Sequence, residues 1–421
     1  MSLVRTRHRA SLSGKPLPAS AGLFVQARSQ TSGCPAHVVR ATVGIDWAGG
    51  RYWFRLGLRR RCPVVLQRQA TVRLLLMAGL ATAFAMAWRH FSTIPLLVVG
   101  QPRAVGLLQR DREAPFFRAL AATTGLPLLI DYKTADSFGL KDAYQLEAVR
   151  DGRIDIVSLR FMQNIAKEPS LEGMDLPGMI SDFGKARQVV AAYGQTVDRY
   201  LQRTYQAKML GFWSFGPQVM FCRGSMTGLR DLKGRKVRVA SPGLAQLVRA
   251  VGGIPAILPF EDTKEALAIG LVDCAVTSAA SANFAGWTQH TSYYYPLAFQ
   301  FGFNGYAISL KKWNELSPQE RDRLAQAFQA FGAELWRYSE RLQQESERCI
   351  LGDSCRLLRP HRLHRVSVSR EDVRFLKQIS RQIVLPSWSA RCEQKHPRCR
   401  VDWDRTVAPV VEFDGPVSGR P

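Results

Sequence analysis

From about residue 95 onward, the apolar positions repeat first with the period of a strand and then with that of a helix. PLLVVGQP, residues 95–102, is a β-branched run closed by Gly and Pro, which predicts a buried strand. APFFRALAATTG follows with apolar residues at helical spacing and stops at Gly125, as a helix with its C-terminal glycine does. LPLLIDYK predicts a second strand. DAYQLEAVRDGRIDIVSL predicts a helix through Val149, an Asp151-Gly152 turn and a short strand at 154–159. Strand, helix, strand, helix, strand is the order of an α/β unit around a parallel sheet. SDFGKARQVVAAYGQTVDRYLQRTYQAK then reads as a long amphipathic helix or helix pair, and KMLGFWSFGPQVMFCR as an extended stretch carrying Trp213, Phe215 and Phe221.

The theme then repeats. KVRVAS predicts a strand, PGLAQLVRAVGG a helix ending at Gly252-Gly253, IPAILPF a strand-like connection, EDTKEALAIGLVD a helix and CAVTSA a short strand. Two α/β units joined by extended crossings predict two lobes with a cleft between them. Residues 317–348 form one long helical pattern, with Ser317 as N-cap and Pro318 at the first helical position. SREDVRFLKQISRQIVLPSW predicts a further serine-capped helix. The expected organisation is a first lobe over 88–215 with later crossing segments, and a second over 216–310. Helices over 311–390 are expected to lie across both lobes, and 391–421 reads as a peripheral tail.

The chain before residue 88 departs from this pattern. Residues 1–70 show no helical or strand periodicity and are rich in Ser, Gly and Arg. RQATVRLLLMAGLATAFAMAWRH places Arg68 and Arg73 before an uncharged run from Leu74 to Ala87, with Ala83, Ala85 and Ala87 at A-x-A spacing. A basic n-region, a short apolar h-region and a small-residue cleavage site predict a secretory signal peptide over 71–87. The run is shorter than the roughly 20 apolar residues of a membrane span, so an uncleaved anchor is the lesser alternative. A true start downstream of Met1 accounts for residues 1–70 as a basic disordered or spurious extension. Arg59-Arg60-Arg61 offers a looser twin-arginine alternative.

Charge and cysteines refine this. A net charge of +24 over 421 residues would ordinarily raise nucleic acid as a partner. Residues 1–73, however, hold 13 Lys and Arg against Asp46 alone, a net +12, so half the excess lies in the segment that export removes. A nucleic-acid partner is therefore not expected. Six of the eight cysteines lie beyond the apolar run, and an oxidising compartment permits disulfides. The close spacings of Cys349 and Cys355, and of Cys392 and Cys399, make local loops plausible. No C-x-x-C pair or zinc-like His/Cys spacing occurs, so neither a metal nor another cofactor is expected. No G-x-S-x-G, H-E-x-x-H, P-loop or G-x-G-x-x-G stands out, and His290, His361, His364 and His396 are scattered without obvious carboxylate partners. An enzyme is not expected.

Four segments in order carry a family resemblance: LEAVRDGRIDI (146–156), MDLPGMISDFGKARQVV (174–190), LRDLKGRKVRV (229–239) and GGIPAILPFEDTKEALAIGLVD (252–273). Together they resemble the extracytoplasmic solute-binding proteins of TRAP transporters, the dicarboxylate-type (DctP) branch, from about Leu96 to about Trp388. The resemblance implies an α/β, two-lobed periplasmic solute-binding fold (class II-like) with a long connecting helix. It also implies a periplasmic, monomeric protein that captures an organic acid and delivers it to the small and large membrane subunits of a permease. A solute sensor acting with a membrane signalling partner is the alternative.

Arg238 matches the family's carboxylate-pairing arginine, and alternation in KVRVA places it on the face opposite Val237 and Val239. A fork-shaped guanidinium holds a carboxylate bidentately, where an ammonium acts as a point charge. The alternative is an arginine on a solvent-facing strand surface. Gln218 stands where a second arginine occurs in sialic-acid-type members, Thr277 where many members have Asn, and Arg160 where some carry an acidic residue. These departures predict an anion met by Arg238 and Arg160 together, and put a standard C4-dicarboxylate or sialic acid in doubt. Trp213, Phe215, Phe260 and Tyr132 are expected to shape an apolar part of the cleft, against the ordinary alternative of core packing.

Overall fold

The structure is a computed structural model that describes residues 93–411 in full, together with the backbone of three earlier strands. Those strands, β1 (Ser20–Arg28), β2 (Val38–Asp46) and β3 (Arg51–Gly57), form an antiparallel sheet in the order β1-β2-β3. The sequence pattern had shown no strand there. Val38, Val39, Thr42, Val43 and Ile45 are the β-branched residues that favour the extended backbone of β2. The expected signal peptide at 71–87 and the rest of the 1–70 extension lie outside the described residues.

The remainder builds two sheets. The first contains β4 (Ile94–Gly100), β5 (Leu128–Thr134), β6 (Ile156–Arg160) and β7 (Ala207–Ser214). The second contains β8 (Gln218–Cys222), β9 (Lys236–Val239), β10 (Ile254–Ile257), β11 (Cys274–Ser278) and β12 (Tyr293–Gln300). The chain then returns to the first sheet as β13 (Phe303–Ser309), and β14 (His364–Arg365) closes the edge of the second. The orders are β5-β4-β6-β13-β7 and β10-β9-β11-β8-β12-β14. β4 is parallel to β5 and β6, and β9 to β10 and β11, as the alternating pattern predicts. β13 and β8 run antiparallel to their neighbours, so both sheets are mixed. The expected second-lobe span of 216–310 therefore needs correction at its end. β13 pairs with β6 and β7 and belongs to the first lobe, because strand partners far apart in sequence leave no local signature.

Helices cover the sheets. α1 (Ala114–Thr124) and α2 (Gln145–Arg150) pack on the first, and α3 (Phe183–Tyr205) lies on β7. α4 (Pro242–Ala250), α5 (Thr263–Ala268) and α6 (Ala279–Phe284) serve the second. α7 (Pro318–Leu351) starts at Ser317, whose side chain accepts from the Glu320 N–H while Glu320 caps the Ser317 N–H in return. Its 34 residues span about 50 Å. Phe328, Phe331 and Leu335 are buried in the first-lobe core, and Ile350 in the second-lobe core. The helix therefore connects the lobes.

α8 (Arg370–Ile379) and α9 (Leu385–Glu393) fall on the expected serine-capped helix, whereas α10 (Cys399–Thr406) corrects the expectation of a peripheral tail from 391 onward. Cys392–Cys399 joins α9 to α10, and Trp388 and Trp403 are fully buried. Their indole N–H groups donate to the carbonyls of Pro169 and Gly173, each at 2.8 Å. Cys349–Cys355 also forms. A third bond, Cys222–Cys274, links facing residues of β8 and β11, a pairing that a sequence separation of 52 hid from local reading.

Candidate functional site

Two short crossings carry the chain between the sheets: 215–217 from β7 to β8, and 301–302 from β12 to β13. They lie side by side, the Phe215 N–H donating to the Gly302 carbonyl at 3.1 Å. Gly216 and Gly302 have φ of 89° and 62°, values that a residue with a Cβ adopts only with strain. Asp175 pins the second crossing, accepting from the N–H of Phe301 at 2.6 Å and of Gly302 at 2.8 Å. Burial pushes its carboxyl up to about 7, with the neighbouring Glu172 charge adding to the rise and the backbone donors opposing it. Glu172 is itself buried and raised by burial. It accepts from the Gly243 N–H at the start of α4 and pairs with Arg391 at 2.5 Å.

In front of these crossings a narrow cleft is lined from both lobes, by Val105, Arg160, Met162, Gln163, Phe215, Phe303 and Asn304 on one side and Gln218, Arg238, Ala240, Phe260, Thr277 and Ser281 on the other, with Gly302 between. Six expected residues meet here: Arg238, Arg160, Gln218, Thr277, Phe215 and Phe260. Trp213 and Tyr132 do not, which corrects their expected place. Trp213 is fully buried in the first-lobe core, edge-on to Phe215. Tyr132 stacks on Phe117 and donates to Glu113 at 2.9 Å. Glu113 is a buried carboxylate that also accepts from Ser158, Tyr306 and the Gln101 N–H, and burial raises its pKa.

Arg238 is 3% exposed on β9, between the buried Val237 and Val239. Its Nε donates to the Leu258 carbonyl and its Nη1 to the Val276 carbonyl, both at 3.1 Å. The guanidinium carbon lies 5.3 Å from the Trp287 ring centre. A guanidinium has five N–H donors, so three remain after these two bonds. No carboxylate within 4.0 Å balances it among the described residues. Burial and the nearby Arg160 charge both lower its pKa, against a smaller opposing pull from Glu261.

Arg160 ends β6 and is 4% exposed, and its Nη1 lies 2.5 Å from Asp142 Oδ2. The sequence reading missed Asp142, because its partner is 18 positions away on another element. Burial raises the Asp142 carboxyl, Glu261 adds to that, and Arg160 works against it. Arg160 is therefore in the cleft as expected, but its charge is already met. Gln218 donates from Nε2 to the Gly216 carbonyl at 2.9 Å, and a Cβ on Gly302 would lie 2.5 Å from that nitrogen. Gln218 is thus folded against the crossings at the back of the cleft. Thr277 and Asn304 are buried polar residues on opposite walls, and the Asn304 amide donates to the Gly302 carbonyl. Phe215, Phe260 and Phe303 supply apolar surface. Asn304 and Phe303 were not singled out from the sequence, since they sit on β13, for which no strand was predicted and whose residues fell within the span given to the other lobe. Among the described residues no cluster of His, Cys, Asp and Glu is arranged to hold a metal ion.

Two α/β lobes joined by paired crossings, with buried cations facing a cleft, define a two-lobed solute-binding protein. Residues 135–366 match the family described as bacterial extracellular solute-binding protein, family 7 (DctP), and the chain belongs to it. The family is one of receptors, not enzymes. A C4-dicarboxylate-binding periplasmic protein of Rhodobacter capsulatus is 25% identical over 198 residues, covering 44% of this chain and 57% of that relative. A TRAP periplasmic solute-binding protein from Desulfovibrio salexigens, solved with orotic acid, superposes with a TM-score of 0.66 at 14% identity, over 75% of this chain and 99% of that one. An extracytoplasmic solute receptor of Bordetella pertussis binding pyroglutamic acid gives 0.65 at 16% identity, over 75% of this chain and all of that one. Among the described residues no helix is long and apolar enough to cross a membrane.

Proposed function

We propose that this chain is the extracytoplasmic substrate-binding subunit of a TRAP-type transporter, which captures a carboxylate-containing organic acid in its cleft. The observation that carries this reading is Arg238, a nearly fully buried guanidinium with three donors left and no carboxylate of its own among the described residues. Burying an ion is costly unless a counter-charge arrives, and a carboxylate entering the cleft provides one in fork geometry. Orotic acid and pyroglutamic acid, in the structures similar to this one, are ligands of that chemistry. The protein acts as a monomer in the periplasm, exported by the segment at 71–87. It closes on its ligand by rotation of the lobes about the two crossings, and the closed form docks on the small and large membrane subunits.

Titration calorimetry of Arg238→Ala and Arg238→Lys against organic acids that bind the unmodified chain tests the anchor. Removing one partner of a buried charge pair costs about 2–5 kcal/mol, so Arg238→Ala should lose binding about 30-fold or more. Arg238→Lys should recover little, because an ammonium lacks the fork. Unchanged affinity in Arg238→Ala would sink the assignment.

A further inference from the structure

Charge in the cleft is satisfied unevenly. Two guanidiniums line it, Arg160 and Arg238, and both are buried. If both were open to a ligand, they would together match two negative charges. They are not equivalent. Arg160 is held at 2.5 Å by Asp142, whereas the two bonds of Arg238 go to neutral carbonyls. The remaining charge that reaches the site is Glu261, exposed beside Phe260 and acting on both Asp142 and Arg238. A second carboxylate entering the cleft would meet Asp142 and Glu261 with no free cation to balance it.

We propose that Asp142 sets the charge class of the ligand: by neutralising Arg160 it leaves one unbalanced cation in the cleft, so the site takes a monocarboxylate with an uncharged remainder and discriminates against dicarboxylates. This deepens the proposed function and rests on Arg238 as the carboxylate anchor. Phe215, Phe260 and Phe303 offer the remainder apolar contact, and Thr277 and Asn304 offer neutral hydrogen-bonding groups. None of these carries a charge that would repay the desolvation of a second carboxylate.

The test uses the full chain and acids paired by skeleton, benzoate with terephthalate, pentanoate with glutarate, and pyroglutamate with glutamate as a zwitterion control. The unmodified chain should bind a monocarboxylate at least about tenfold more tightly than its dicarboxylate partner, the scale of one buried like-charge contact. Asp142→Asn frees Arg160 and should narrow or invert that ratio by about tenfold or more. Should that variant fail to fold, a rescue pair decides. Arg160→Gln leaves Asp142 unbalanced and should weaken monocarboxylates about tenfold, and Asp142→Asn combined with Arg160→Gln should recover most of that loss. A dicarboxylate bound as tightly as its partner, or a ratio that neither set of variants moves, overturns the role of Asp142 while leaving the anchor standing. Loss of preference without any effect of Arg238→Ala, or no binding by any acid, instead overturns the carboxylate reading beneath it.

Discussion

Asp175 shows what a single carboxylate does when it is buried beneath a crossing between lobes. Its pKa is raised from the usual 3.8 to about 7, with Glu172 and, beyond it, Arg391 as the nearest charged groups. A group whose folded pKa lies above its unfolded value holds a proton in the folded state that the unfolded state has released. The stability tied to that proton is full below about pH 4 and is lost as pH rises through about 7. Glu113 and Glu172, also raised by burial, act in the same direction. Asp175→Asn, whose single oxygen leaves one of the two backbone N–H groups without its acceptor, should lower stability at pH 5 and flatten the fall in melting temperature between pH 5 and pH 8 relative to the unmodified chain. Parallel slopes for the two proteins would show that Asp175 does not titrate in that window. At this scale the sequence was partly legible. Arg238 could be placed because two valines fix the strand face around it. Trp213 and Phe215 could not be told apart, because β7 ends at Ser214 and the two-residue alternation stops between them. Tyr132 failed for another reason: β5 is an edge strand, and its inner neighbour across the layer is Phe117 of α1, not the cleft.

Elements with strong periodicity were found nearly where the pattern put them, including α7 with its capping box and the strand carrying Arg238. The last helix was underrated. CRVDWDRT has four charged residues in eight and only two large apolar ones, so nothing in its periodicity announces a buried face. Its burial comes from Trp403, seated on the 169–174 turn, and from the bond to α9. That turn leads directly into Asp175, so the tail supports the crossing from behind. Replacing both Cys392 and Cys399 with Ser should cost about 2–3 kcal/mol for a loop this short. Ending the chain after residue 390 should do worse, exposing the Trp388 face and loosening the turn. Chemical denaturation measures both, and a truncated chain as stable as the double serine variant would place the whole effect in the disulfide.

The two-lobed arrangement as a whole was legible, because repeated strand and helix patterns on either side of an extended stretch leave few alternatives. The cleft's charge balance was not, since the pair that decides it spans two elements and becomes visible only when they are folded together. The paired crossings at Gly216 and Gly302 have one more consequence, which is mechanical. Two chain segments bonded side by side define a single axis, and α7, anchored in both cores, resists sliding along it. If the lobes close as proposed, the molecule has one soft coordinate, an angle, and a ligand would be measured as a calliper measures thickness. Spin labels at Leu129 and Ile257, each more than 60% exposed on the outer strands of the two sheets, read that angle as a distance. Each acid should give its own narrow distance peak, displaced steadily with ligand size, and a distribution indifferent to ligand would mean the jaws do not turn.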